Sequence, residues 1–171
     1  MKTKKSDIKL SEKDIILAMT NKGAPCDLGS HLVVPNVSSG LAIHECDLLS
    51  VTNARYATEI EIKISVADTK KDKLKKHQHK SNKIKYLYFA MPYYILDKAK
   101  EYVPEHAGIY SIKPYYWRKQ LRYKVIKERS AKVNPNHRKL TEKEYSQLQR
   151  LVAMRYFSLL RRYVREKRRK N

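Results

Sequence analysis

The sequence predicts an α/β protein with a central mixed sheet flanked by helices, and three observations predict it. Short β-branched or alternating runs are interleaved along the chain with segments of helical periodicity. The run IKYLYFAM, Ile84–Met91, is apolar almost throughout, as a strand covered on both faces should be. Capping signals open two of the helical segments: Ser11 with Asp14, and Thr141 with Glu144.

Taken in order, Leu10–Met19 is expected to be a helix capped by Ser11, and His31–Val37 a short strand. Leu41–Val51 and Ala57–Val66 alternate across Asn53-Ala-Arg55 and should form a hairpin. Asp68 is placed to begin a lysine-rich helix running to Ser81. The apolar strand at Ile84 follows and stops at Pro92. Tyr93–Lys100 is expected to be a short helix and Gly108–Ile112 a further strand. Pro135 and its flanking asparagines mark a soft boundary over Ser130–Leu140. This divides a domain of residues 1–130 from a basic C-terminal helical extension, 131–171, packed on the same domain. In that extension Tyr145, Leu148, Val152, Tyr156, Leu159 and Tyr163 recur every three or four residues, so one face of a helix from Thr141 to about Lys167 should pack.

Composition narrows the function. The 171 residues suit one domain of ordinary size, and 42% hydrophobic content supports a core. Two cysteines, Cys26 and Cys46, exclude a disulfide scaffold or a multi-cysteine zinc cluster. There is no apolar run of bilayer length and no signal-peptide pattern at Met1–Asp7, so a cytoplasmic protein without a membrane partner is expected. The formal charge is +21, from 38 Lys+Arg against 17 Asp+Glu. Nucleic acid is the expected partner, because cationic side chains gain free energy by displacing counterions from phosphates.

The charge is concentrated. Lys70–Lys85 holds eight lysines and one acid, Asp72, and Arg150–Asn171 is also strongly basic. By contrast, Gly40–Ile62 carries Glu45, Asp47, Glu59 and Glu61 against the single base Arg55. An acidic island in a phosphate-binding chain calls for a cation, since bare carboxylates repel phosphate.

The island has a pattern. Along the strand Thr58–Ser65, residues Glu59, Glu61, Lys63 and Ser65 share one face, and Ile60, Ile62 and Ile64 share the other. Glu45 and Asp47 share a face of the partner strand. Setting Asp47 opposite Glu61 sets Glu45 opposite Lys63 and leaves a five-residue turn, Thr52–Tyr56, while a three-residue turn, Ala54–Tyr56 or Asn53–Arg55, keeps the same parity. A four-residue turn would instead oppose Asp47 to Ile62, so an odd-numbered turn or a bulge is expected. Opposed carboxylates at that spacing could share a Mg²⁺.

The string His44-Glu-Cys-Asp47-Leu-Leu, then Glu59-Ile-Glu-Ile-Lys-Ile-Ser65, then Asp68, Asp72 and a lysine- and histidine-rich segment, resembles the PD-(D/E)XK nuclease superfamily. With the YFAMP strand end and Pro104-Glu-His-Ala-Gly-Ile109, it is similar to small members related to MmcB-like DNA-repair proteins and to proteins of mobile elements and phages. The resemblance covers roughly Leu10 to Ile112, and no proline directly precedes Asp47. It implies a restriction-endonuclease-like sheet and Mg²⁺- or Mn²⁺-dependent hydrolysis of DNA, in repair, recombination or mobile-element processing. Asp47 and Glu61 would be ligands together with the Ile62 carbonyl, and Lys63 would orient or help deprotonate the attacking water. Glu12 could supply the additional acid that some relatives place on the first helix, and Glu45 is a further candidate.

Other features have more ordinary readings. Glu59 and Glu45 are expected at the surface or supporting the ligands, and Ser65, Asp68 and Asp72 at a helix start. His77-Gln-His79 has the wrong spacing for a zinc pair on a helix and is expected to face solvent or phosphate. Lys70, Lys71, Lys75, Lys76, His77, Arg161, Arg162 and Arg165 are the expected phosphate contacts. A dimer would suit cutting two strands. The competing reading is a basic protein that binds DNA or structural RNA without catalysis.

Overall fold

The computed structural model describes residues 8–37, 43–72 and 79–170. Six strands form one mixed sheet whose spatial order equals the chain order. The strands are β1 (His31–Val37), β2 (Cys46–Thr52), β3 (Ala57–Ile62), β4 (Ile84–Pro92), β5 (Gly108–Trp117) and β6 (Gln120–Arg129). β1, β2 and β3 pair antiparallel, β4 runs parallel to both β3 and β5, and β6 returns antiparallel. The helices are α1 (Glu12–Thr20), α2 (Val66–Asp72), α3 (Leu96–Ala99, with a 3₁₀ turn on either side) and α4 (Glu142–Lys170).

Helix α1 starts as expected: the Ser11 side chain accepts the Asp14 amide, and the Asp14 carboxylate accepts the Ser11 amide. Its buried Ile15, Ala18 and Met19 pack on one face of the sheet, against Leu48, Ile60, Ile62, Tyr88, Ala90, Tyr110 and Ile112. This is the isoleucine face of β3.

The opposite face carries two apolar clusters. One joins Val34, Leu49, Val51, Ala57 and Ile84 to Leu140 and to Leu148 of α4. The other joins Leu87, Phe89, Met91 and Ile109 to Ala99 of α3, with Val66 of α2 packed against it. The odd-numbered residues of β3 lie between them. There the alternation of the strand delivers charge rather than hydrocarbon, and Glu59 and Glu61 are wholly buried.

The hairpin turn is odd-numbered, as anticipated. Leu48 pairs with Ile60 and Val51 with Ala57, so the turn is Thr52–Tyr56. Arg55 takes a left-handed φ of 65°, and Thr52 closes the turn from its amide to the Tyr56 carbonyl.

Several boundaries depart from expectation. β2 begins at Cys46 rather than Leu41, with residues 38–42 outside the described set. β3 ends at Ile62, and α2 begins at Val66, where the Ser65 hydroxyl caps it by accepting the Asp68 amide. Asp68 is therefore inside the helix, and Ser81 is not helical. β5 continues to Trp117, and β6 is a strand the periodicity did not announce. The two meet at Arg118 and Lys119, both at positive φ (47° and 65°), the geometry of a tight primed hairpin turn.

Residues 131–140 form a strap hydrogen-bonded to the body. The Lys132 amide bonds the His106 carbonyl, that of Asn134 the Lys85 carbonyl, and that of Leu140 the Arg55 carbonyl. The strap delivers α4, capped by Thr141 and Glu144. Among the described residues, its apolar packing runs through Tyr145, Leu148, Leu151 and Val152 of the first turns. Tyr156, Leu159 and Tyr163, expected on the packed face, are exposed together with Phe157 and Leu160. The expected stripe is real, but the helix outruns the sheet that covers it.

Candidate metal and phosphodiester site

Three elements converge on the polar seam of β3. The strand supplies Glu59 and Glu61, the residue after it Lys63, helix α2 Asp72, and the segment before β4 His79. Inward placement of Asp72 follows from helix geometry, since Val66, Thr69 and Asp72 are spaced by three, and Thr69 and Asp72 are buried. His79 reaches the seam from a left-handed backbone, φ 55°, a conformation non-glycine residues adopt at some cost.

These groups form one chain of alternating charge. His44 Nε2 lies 2.7 Å from Glu59 Oε2. The other Glu59 oxygen lies 2.6 Å from His79 Nδ1, and His79 Nε2 lies 2.6 Å from Asp72 Oδ2. Lys63 Nζ then bridges Asp72 Oδ1 at 2.8 Å and Glu61 Oε2 at 2.9 Å. Carboxylate oxygens face both His79 nitrogens, so each must carry a proton and the ring is an imidazolium. Burial opposes that charge, but hydrogen bonds from Asp72 and Glu59, with their charges, raise its pKa to about 9. Burial likewise works against the Lys63 ammonium, while Glu61 and Asp72 outweigh it and raise its pKa. For Glu59, desolvation is overcome by His44 and His79, which hold its pKa below the usual range.

The expected residues are placed as follows. Asp47 lies on the same side of its strand as Leu49, one step beyond the pair Leu48–Ile60, and so opposite Glu61. Its Oδ2 accepts the Ile62 amide at 2.8 Å. Glu61 and Lys63 meet as expected. Glu45 is exposed, and the Lys63 ammonium is buried against Glu61 and Asp72, so register alone did not make that pair. Glu12 is exposed on α1, which packs on the isoleucine face, away from the seam. Lys70 and Lys71 are exposed on α2, with Lys70 Nζ 4.7 Å from the Tyr102 ring centre. Arg161, Arg162 and Arg165 are exposed on the projecting part of α4. Lys75, Lys76 and His77 lie outside the described residues.

Three residues enter the site against expectation. Asp72 is a buried member of the network rather than part of a helix start, while Glu59, expected at the surface or supporting the ligands, is buried in the supporting place. His79 is buried instead of facing solvent, and His44 closes the far end. The spacing of Asp72 from Val66 and Thr69 was a usable signal. Nothing local foretold the contact of His79 with a strand twenty residues earlier.

The donor set suits a hard divalent cation. Glu61, Asp72 and His79 offer ligand atoms within 4.8 Å of one another, as do His44, Glu59 and His79. Asp47 belongs to neither cluster. Among the described residues of the seam, Asp47, Glu59, Glu61 and Asp72 gather four carboxylates beside Lys63 and His79. Carboxylate oxygens fit Mg²⁺ or Mn²⁺.

No family model matches this chain. No curated protein matches it either. A solved structure of a protein of unknown function from Silicibacter pomeroyi is similar over 90% of this chain and 91% of that one, with a TM-score of 0.58 and 14% sequence identity. At that identity the likeness speaks for the fold alone: a mixed six-stranded sheet flanked by helices. Among the described residues, no helix is long and apolar enough to cross a membrane.

Proposed function

We propose that this protein is a metal-dependent nuclease of restriction-endonuclease-like fold, a member of the PD-(D/E)XK superfamily, that hydrolyses phosphodiester bonds in DNA. The observation that carries the proposal is the Lys63 ammonium held 2.9 Å from Glu61, on a strand face that the hairpin register sets opposite Asp47. The order α1-β1-β2-β3-α2-β4, with β3 and β4 parallel and the acids on β2 and β3, supports the same reading. DNA repair or mobile-element processing is the setting that the motif resemblance suggests.

Asp47, Glu61 and the Ile62 carbonyl would hold the ion, and Asp72 adds an acid beside them. A bound Mg²⁺ or Mn²⁺ lowers the pKa of coordinated water and polarises a phosphoryl oxygen. Lys63 places a fixed positive charge where a nucleophilic water and the negative charge developing on phosphorus would lie. Asp72 fixes that ammonium from the side opposite Glu61, while His79 and Glu59 fix Asp72. These three are positioning residues. Lys70 and Lys71 of α2, with Arg161, Arg162 and Arg165 of α4, supply phosphate contacts that carry no sequence information, so specificity should be low.

The test is cleavage of plasmid and short duplexes with Mn²⁺, Mg²⁺ or EDTA. Metal-dependent nicking should fall at least a hundredfold in Glu61→Gln and Lys63→Met, with DNA binding retained. A second reading, binding without catalysis, draws on the network itself: Lys63 and His79 already compensate buried carboxylates. Wild-type protein that binds DNA and leaves it intact in both metals would establish that reading instead.

A further inference from the structure

The ribbon of β5 and β6 continues well past the sheet that carries it. β5 makes its last pair with β4 at Ile112 and Pro92 and runs on to Trp117. Five further residues, at ~3.3 Å each, carry it about 17 Å past the carboxyl end of β4. That is the end of the sheet at which Lys63 follows Ile62, because β3 and β4 are parallel. The base of this arm is anchored. The Tyr123 hydroxyl donates to Asp14 beside α1, and Lys113 Nζ lies 5.5 Å from the Tyr93 ring centre. Beyond the anchor, every residue from Tyr115 to Arg122 is exposed.

The arm is cationic and aromatic throughout. From Lys113 to Lys127 the chain has six Lys or Arg and neither Asp nor Glu. Lys113 stands directly opposite Lys124, a like-charge pairing that costs a ribbon stability. Tyr115 stands opposite Arg122, and Trp117 lies one step further along the same face. The guanidinium carbons of Arg118 and Arg122 lie 4.3 and 4.6 Å from the Trp117 ring centre, so two cations are held at one ring. Tyr116 stands on the other face, 52% exposed. Lysines alone are the ordinary protection of an edge strand against pairing. Exposed aromatic rings serve no such purpose.

We infer that the tip of this arm binds single-stranded DNA, with unpaired bases stacked on Tyr115 and Tyr116 and phosphates drawn to the guanidiniums that Trp117 holds. Every base has a π-face, so rings set among cations grip a strand without reading its sequence. An arginine stacked on a ring still presents its N–H fork to phosphate. A duplex buries its base faces in its own stack and offers these tyrosines nothing to cover. The inference deepens the hydrolase reading, on which the choice of DNA rests, by naming a substrate with an unpaired flank.

The experiment measures binding in EDTA, where metal-dependent turnover is absent, with a labelled oligodeoxythymidylate and a labelled duplex of the same length at one salt concentration. Trp117 is the single tryptophan of the chain, so its emission reports from the arm itself. Adding the single strand should quench that emission. Tyr115→Ser with Tyr116→Ser, at exposed positions and with all charge kept, should weaken single-strand binding at least tenfold while duplex affinity and Tm stay at wild-type values. Tyr156→Ser with Tyr163→Ser removes two exposed tyrosines from α4 and should leave single-strand binding intact. No single-strand binding, binding that leaves Trp117 emission unchanged, or equal loss in the two double variants would overturn the inference. Each of these results leaves the hydrolase reading standing, since cleavage with added metal tests that separately.

Discussion

Replacing Lys63 by methionine removes the buried ammonium from between Glu61 and Asp72 while keeping the length of the side chain. The Lys63 side chain is 5% exposed and its two partners 0% and 5%. Both carboxylates would then lie in the interior without the charge that now joins them. Breaking a buried pair by removing one partner costs about 3–5 kcal/mol, and a bridge between two acids belongs at the upper end. For a domain of this size each kcal/mol lowers Tm by about 2–4 °C, so the fall should be about 6–20 °C in EDTA. Adding Mn²⁺ should restore much of it, since a ligand at a hundred times its Kd stabilises by about 2.7 kcal/mol. Thermal unfolding followed by circular dichroism, with EDTA and then with Mn²⁺, reads both effects. A variant melting within a degree or two of wild type in EDTA would refute the buried bridge.

Three further outcomes follow from the packing. Glu144 accepts two hydrogen bonds from Arg138 at 2.7 and 2.8 Å and lies 3.0 Å from Lys83. Its pKa is lowered, chiefly by Arg138. That contribution is complete above the unfolded value and lost as pH falls below it, so wild-type Tm should drop from about pH 5 downward and Glu144→Gln should show a flatter profile there. Leu148→Ala, at a fully buried position of α4, should cost about 2–5 kcal/mol by denaturant unfolding, and a loss under 1 kcal/mol would mean that α4 is not docked. Deleting residues 159–171 should leave Tm nearly unchanged and reduce the salt slope of DNA binding by about 0.9 for each phosphate the shortened helix no longer reaches. An unchanged slope would remove that segment from the DNA interface.

Much of this arrangement is legible in the residues because parity decides it. A β-strand has only two faces, so bringing Asp47 and Glu61 to one face called for an odd-numbered turn or a bulge, and the turn has the five residues Thr52–Tyr56. The IKYLYFAM strand and both capped helices declare themselves through composition and local hydrogen bonding. β6 does not: it is a largely exposed edge strand rich in charge, and its turn uses Arg118 and Lys119 at positive φ, where a glycine or asparagine would have announced it. Periodicity gave the apolar stripe of α4 but not where the body beneath it ends. His79 and His44 escaped because their partners are distant in sequence, and one of them depends on an unusual backbone conformation. Asp72 was visible only once α2 was known to begin at Val66 and to turn that acid inward.

Anomalous diffraction from a crystal equilibrated with Mn²⁺ tests the central claim most directly. One ion bound by both Asp47 and Glu61, and absent in Glu61→Gln, is the predicted result. Manganese bound at some other place, or none at millimolar concentration, would contradict it.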